Sequence, residues 1–342
     1  MIGVRGQVTQ SGCSFAPVTA ILARGPGGRG AARWCGAAAR RGGAVPRAAG
    51  GAARGGGYRS LVALSLAISP CPNDTFVFHA LVHGLVEGAP AFDVTYADVD
   101  VTNTAAERGE YDLVKVSYGA LPWLLDTYEL LPCGGALGRG CGPLLLVDGE
   151  RLGGERLGGE RRDGERLGGE RRGGERVIDT VAVPGDRTTA YLLYRLWAAA
   201  IGRKSPHIEI VPFHEIMPGV AAGRYDAGLV IHEARFTYPR YGLTALVDLG
   251  EWWEKETGLP IPLGAILAKR DTVDPRQAAG WIRDSVRQAF ADPSASHEYV
   301  LRHAQEMEPD VVRQHIALYV NEFTLDLGDE GRRAIDTLLA RA

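Results

Sequence analysis

Gly109-Glu110-Tyr111-Asp112-Leu113-Val114-Lys115-Val116-Ser117 and, 114 residues further on, Gly223-Arg224-Tyr225-Asp226-Ala227-Gly228-Leu229-Val230-Ile231-His232 decide the fold. Each copy reads as a helix end stopped by Gly, a turn at Tyr-Asp, and a short apolar run whose far end is polar. Such a run between helical patterns is a strand of a largely parallel sheet, buried on both faces. Two copies at this spacing imply two related lobes of an α/β protein. In open α/β sheets ligands sit beyond the carboxyl ends of the strands, so Lys115, Ser117 and His232 are expected to face one cleft from opposite sides. Gly-x-Tyr-Asp is also a common turn, and its chance recurrence is the competing explanation.

Working outward, Leu61–Ile68 reads as a strand, Asp74–Val86 as a helix, Phe92–Asp98 as a strand and Ala190–Ile201 as a helix. The run at 61–68 follows Arg54 and Arg59, so an export signal competes there with a first strand; its alternating apolar residues and the Pro that follows favour the strand. Two segments do not fit a core. Residues 1–58 are rich in Gly, Ala and Arg, a composition that cannot offset chain entropy and predicts a disordered arm. A targeting peptide, a basic nucleic-acid tail and an upstream extension outside the working protein are its three possible origins. Residues 148–176 are a low-complexity insertion built on a five-residue Glu-Arg-Leu-Gly-Gly repeat, expected to lengthen a surface turn.

Of 342 residues, 45% are hydrophobic and the formal net charge is −3, which gives a sizeable core and no general affinity for nucleic acid. No run reaches the roughly 18 apolar residues of a membrane span. Five Cys without a C-x-x-C pair indicate neither a disulfide framework nor structural zinc, and point to a reducing, cytoplasmic setting. His79 and His83 have i, i+4 metal spacing but lack the Glu of His-Glu-x-x-His, so no metal is expected there.

Lys115 is one of only four Lys among 38 basic residues and interrupts an apolar strand, where an ammonium needs a carboxylate partner or a route to solvent. His232 closes an apolar run with Glu233 beside it, which suits either a base or a structural strand end. His214 is expected to face solvent, and His297, His303 and His315 to lie on the surface or in packing of C-terminal helices. Ser69-Pro70-Cys71-Pro72-Asn73-Asp74-Thr75 and Pro184-Gly185-Asp186-Arg187-Thr188-Thr189 each precede a helix whose start can receive an anion, with Asn73 or Asp74 as the expected cap of the first. Neither is a nucleotide-binding loop.

Taken together, the Ser69–Phe76 loop, Lys115-Val116-Ser117, Gly134–Pro143, Thr188-Thr189-Ala190-Tyr191, Ile231–Tyr238 and Gly250-Glu251-Trp252-Trp253 resemble the 1,4-dihydroxy-6-naphthoate synthase family of menaquinone biosynthesis by the futalosine route. The resemblance runs from about Leu61 to Ala342 without the repeat. It implies a two-lobed periplasmic-binding-protein-like fold of type II with a central cleft, no cofactor, and a lyase that converts cyclic dehypoxanthine futalosine to the dihydroxynaphthoate. It further implies His232 as general base and Lys115, Val116, Ser117, Thr188 and Thr189 as the substrate-binding residues. The expected division is 59–147 as lobe 1, 177–248 as lobe 2, and 249–342 as the return crossover and the rest of lobe 1, joined by two crossover strands. The implied partner is a small molecule, with no nucleic acid and no membrane; oligomeric state is left open. A non-catalytic solute-binding protein of the same fold is the rival reading, because fold does not fix function. A weaker third is an acyl-transfer enzyme using Cys71 or Ser117 with His232.

Overall fold

Short apolar runs alternating with helical patterns build two sheets in the computed structural model, which describes residues 63–149, 178–203, 205–304 and 308–342. The arm at 1–58 and the repeat at 150–176 lie outside the described residues. Along the chain the strands are β1 (Leu64–Ile68), β2 (Phe92–Tyr96), β3 (Leu113–Ser117), β4 (Tyr128–Leu130), β5 (Ala136–Gly138), β6 (Leu144–Asp148), β7 (Thr180–Val183), β8 (His207–Ile210), β9 (Ala227–Val230), β10 (Leu243–Asp248) and β11 (Ile261–Lys269). The helices are α1 (Pro72–Val82), α2 (Val99–Glu107), α3 (Thr189–Ala200), α4 (Phe213–Ala221), α5 (Ala234–Thr237), α6 (Leu249–Thr257), α7 (Pro275–Ala291), α8 (His297–His303), α9 (Pro309–Tyr319), α10 (Glu322–Leu325) and α11 (Gly328–Leu339). None of them is long and apolar enough to cross a membrane.

One plan is used twice. In the first sheet β1 pairs parallel with β2 and β3, and β11 lies antiparallel on β3; in the second, β7 pairs parallel with β8 and β9, and β6 lies antiparallel on β9. The fourth strand of each sheet therefore arrives from the other half of the chain. The repeated Gly-x-Tyr-Asp has the same job in both halves. Gly109 and Gly223 take the left-handed conformation just past α2 and α4, at φ of 64° and 72°. The Asp that follows then clamps the neighbouring strand: Asp112 Oδ2 accepts from Ser65 N and Oγ, both at 2.8 Å, and Asp226 Oδ2 accepts from Thr180 N and Oγ1, both at 2.9 Å. Ser65 Oγ and Thr180 Oγ1 return a bond from the N–H of Asp112 and Asp226. The echo is a shared structural device rather than a coincidental turn.

Three expectations change. Leu144–Asp148 belongs to the second sheet, between β9 and β10, so the boundary at 147 falls one strand too late; its apolar run fits either sheet, and the crossover before it decides. The crossovers are not strands. One is the loop between β5 and β6, the other runs through α6, and they meet where a Cβ on Gly142 would lie 2.2 Å from Gly250 N. Helix α1 stops at Val82 because Gly84 turns left-handed at φ 68°, four residues before the expected end. A continuous core spans both sheets, with Val114, Val116, Val181, Val183, Leu193 and Trp253 fully or almost fully buried. Each such side chain contributes about 1.5–3 kcal/mol.

Candidate active site

The pleat of β3 sets the cleft wall. Successive side chains point to opposite faces, so Lys115 and Ser117 line the cleft while Val114 and Val116 enter the core. Val116 is thus no cleft side chain, contrary to expectation: it is wholly buried among Val114, Ala265 and Leu267. The carboxylate that meets Lys115 is that of Asp74, from the first turn of α1. The Lys115 and Asp74 side chains are only 9% and 1% exposed, and Asp74 is further held by Ser69 Oγ at 2.8 Å, Ser69 N at 3.2 Å and Asn73 Nδ2 at 2.8 Å. A buried ion pair is tolerable only with such additional donors. Cys71, not Asn73 or Asp74, occupies the N-cap of α1, and Pro72 opens the helix.

Across the cleft, Thr188 is the N-cap of α3: its Oγ1 accepts from Tyr191 N at 3.2 Å and donates to Gly185 O at 2.9 Å. Thr189 Oγ1 donates to Leu263 O at 2.9 Å and accepts from Gly119 N at 3.0 Å, tying α3 to β11 and to the end of β3. Ser117 is oriented by Asn103, whose Oδ1 accepts from Ser117 N at 2.8 Å and whose Nδ2 donates to Ser117 Oγ at 3.3 Å. Both threonines and Ser117 line the cleft, with hydroxyls already bonded within the protein.

His232 lies just beyond β9 at φ 55°, a left-handed conformation that costs a non-Gly residue energy and persists where the surroundings impose it. Its Nδ1 is 3.2 Å from Cys71 Sγ, and its ring packs beside Phe213 and His315 at centroid distances of 5.7 and 6.3 Å. Burial lowers its pKa from 6.5 to about 4; the Asp74 carboxylate opposes that shift and the Lys115 ammonium reinforces it. The imidazole is therefore neutral at physiological pH, rather than half-protonated as the residue type alone suggests. Burial likewise raises the Cys71 thiol well above its usual range, with the Glu233 carboxylate next in effect. That leaves little thiolate for nucleophilic attack.

His315 was placed among surface and packing residues, and it is the site neighbour that sequence reasoning missed. It is wholly buried, Nε2 lies 2.9 Å from Asn73 Oδ1, and burial followed by His232 and Lys115 pushes its pKa well below 6.5. Because Asn73 Nδ2 donates to Asp74, its oxygen accepts from His315, completing a chain from His315 through Asn73 and Asp74 to Lys115. The signal existed: Val311, Val312, His315 and Tyr319 share the buried face of α9. His79 and His83 stack with each other and with Tyr299 and do not line the cleft.

The cleft is partly open to solvent and is lined from both halves of the chain, by Ser69, Lys115 and Ser117 on one side and Thr188, Ile231 and His232 on the other. It offers one neutral imidazole, one charge-compensated ammonium, a helix start and apolar walls from Val99, Ile231 and Leu263. A family model described as "Menaquinone biosynthesis" matches residues 64–342. The chain belongs to the menaquinone biosynthesis family. Among its curated relatives, a Streptomyces coelicolor protein is 57% identical over 82% of this chain and 92% of its own length. A Thermus thermophilus protein is 45% identical over 82% of this chain and 94% of its own. Both are named 1,4-dihydroxy-6-naphtoate synthase. An Archaeoglobus fulgidus crystal structure aligns at TM-score 0.69 and 27% identity over 83% of this chain and 98% of that one. A Candida albicans protein described as having the generic periplasmic binding protein fold aligns at 0.57, with 11% identity over 82% and 90%. This menaquinone biosynthesis chain therefore has the periplasmic-binding-protein-like α/β fold, and its family match begins at the first residue of β1.

Proposed function

We propose that the chain is a 1,4-dihydroxy-6-naphthoate synthase, a cytoplasmic carbon–carbon lyase acting on cyclic dehypoxanthine futalosine. The observation that carries this reading is the shared name of two relatives, each aligned over more than nine-tenths of its length. The cleft supplies what the reaction requires. His232, neutral because it is buried, holds a lone pair ready to remove the proton that starts carbon–carbon cleavage. Aromatisation of the product drives the release of the sugar-derived fragment. Lys115, its charge balanced by Asp74, offers ammonium hydrogen-bond donors at the cleft wall rather than a net positive charge. The start of α3 at Thr188 and Thr189 receives the substrate carboxylate, with Ser117 as a hydroxyl beside it.

The test is incubation of the purified chain with cyclic dehypoxanthine futalosine, followed by mass spectrometry for the dihydroxynaphthoate. Product is expected, and His232→Asn should retain binding while turnover falls about 10²–10⁴-fold, the range for loss of a general base. Near-normal turnover in His232→Asn would assign the base elsewhere. Binding by the unaltered chain without any product would make it a solute-binding protein, the activity of several proteins that share this fold.

A further inference from the structure

Asp74 Oδ1 accepts two hydrogen bonds, one from Asn73 Nδ2 at 2.8 Å and one from the Lys115 ammonium. Asn73 and Lys115 line the cleft, whereas Asp74, bonded to both, does not. Two donors that share one oxygen stand at most about 5.6 Å apart, so a second oxygen on the cleft side can accept from both. Hydrogens remain for it. The amide nitrogen carries two and the ammonium three, and among the described residues Asp74 is the only acceptor that either one meets. We propose that Asn73 is a further catalytic residue, whose Nδ2 forms with Lys115 Nζ a two-donor site for a substrate oxygen that gains negative charge during the reaction.

The amide has one usable orientation. The Asp74 carboxylate only accepts, so Nδ2 points to it and Oδ1 is left for His315 Nε2 at 2.9 Å. His315 is wholly buried and does not line the cleft, so it is a positioning residue that keeps the amide from turning its oxygen towards the substrate. Packing fixes the second donor, since a Cβ on Gly264 of β11 would lie 2.8 Å from Lys115 Cε. The base stands close by. The charges of Asp74 and Lys115 both act on the His232 imidazole, whose ring centre is 6.3 Å from that of His315. The inference rests on the reading of the chain as a dihydroxynaphthoate-forming lyase, and that product explains the need for such a site. An aromatic hydroxyl is the enol of a ring ketone. When His232 takes a proton from the carbon beside such a ketone, the C–H electron pair forms a C=C bond and the carbonyl π pair moves onto oxygen. That oxygen carries the enolate charge until it is protonated, and two preset N–H donors stabilise it more than they stabilise the ketone.

The experiment compares the full-length protein with Asn73→Ala, first in steady-state turnover of cyclic dehypoxanthine futalosine. The variant should lower kcat about 10²–10³-fold, the range for one oxyanion donor, with KM within about threefold. A second readout needs no turnover. The two monohydroxy-6-naphthoates that each lack one of the product's hydroxyls are bound to the protein, and ionisation of the remaining hydroxyl is followed by absorbance against pH. On the unaltered chain at least one should be an acid about tenfold or more stronger than in water, and Asn73→Ala should remove most of that gain. His315→Leu should show the same loss in kcat, and His315→Gln, which keeps an N–H for Asn73 Oδ1, should recover most of it. That pair carries the comparison should Asn73→Ala fail to fold. If the unaltered chain binds the naphthoates but forms no product, the lyase reading fails while the ionisation comparison still decides on the two donors. A kcat for Asn73→Ala within about threefold of the unaltered chain, or a loss confined to KM, would overturn the proposal. So would naphthol acidity that is the same with and without the Asn73 amide, or failure of both naphthoates to bind.

Discussion

Lys115→Met tests whether the buried ion pair is a structural element of the cleft floor. The change keeps length and apolar stem but removes the ammonium, leaving the Asp74 side chain, only 1% exposed, without its cation. Breaking one side of a buried pair costs about 3–5 kcal/mol. Ser69 N, Ser69 Oγ and Asn73 Nδ2 still donate to Asp74, which places the loss near the lower end, about 3 kcal/mol. At about 2–4 °C per kcal/mol for a domain of this size, Tm should fall by roughly 6–12 °C. Asp74→Asn in the same chain removes the orphaned charge, so the double variant should regain at least about 1 kcal/mol over the sum of the two single losses. The assay is urea unfolding followed by circular dichroism for the four proteins of the cycle, at low and high salt. Because the pair is shielded from solvent, the coupling should change little with salt. A Lys115→Met loss below about 1 kcal/mol, or losses that simply add, would refute the reasoning.

Acid should destabilise the fold through His232. Its folded pKa of about 4 lies below the ordinary 6.5, so on going below pH 6.5 the unfolded chain takes up a proton that the folded chain refuses. The His232 share of stability is therefore full above pH 6.5 and falls by up to about 3 kcal/mol as pH drops to 4. His232→Asn should make the slope shallower in a urea series across that range, and the slope that remains belongs to His315, whose pKa is also held well below 6.5. Gly142→Ala drives a Cβ to 2.2 Å from Gly250 N where the crossovers touch, and calorimetric melting should show a loss of at least about 2 kcal/mol. Asp112→Asn should cost about 1.5–3 kcal/mol in denaturant titrations, and Asp226→Asn less, since the second clamp is exposed to solvent. Thr188→Ala removes the cap of α3 and the bond to Gly185 O, so the melting midpoint should report a loss of about 1 kcal/mol and calorimetry a weaker substrate affinity.

The sequence by itself determined what contiguous residues encode. Two Gly-x-Tyr-Asp turns, each feeding an apolar strand with a polar end, placed Lys115, Ser117 and His232 around one cleft, and the structure puts all three there. The helix start at Thr188 was legible because a cap acts locally, whereas the first helix opens at Pro72 with Cys71 as its N-cap, two residues before the start read at Asp74. The pleat also held the information that Val116 faces away from Lys115, since period-2 alternation is local too. What needed the tertiary structure were partners set by the path of the chain. Asp74 meets Lys115 across 41 residues, His315 reaches Asn73 across 242, and Cys71 reaches His232 across 161. No spacing rule relates such positions. Likewise Leu144–Asp148 is an apolar strand in any sheet, and only the crossover at Gly142 assigns it to the second. The pKa of His232 follows the same division: the residue type sets 6.5, and burial beside Lys115 lowers it to about 4. Local periodicity and capping depend on neighbours in the chain, whereas burial and charge pairing depend on which distant segments the fold brings into contact.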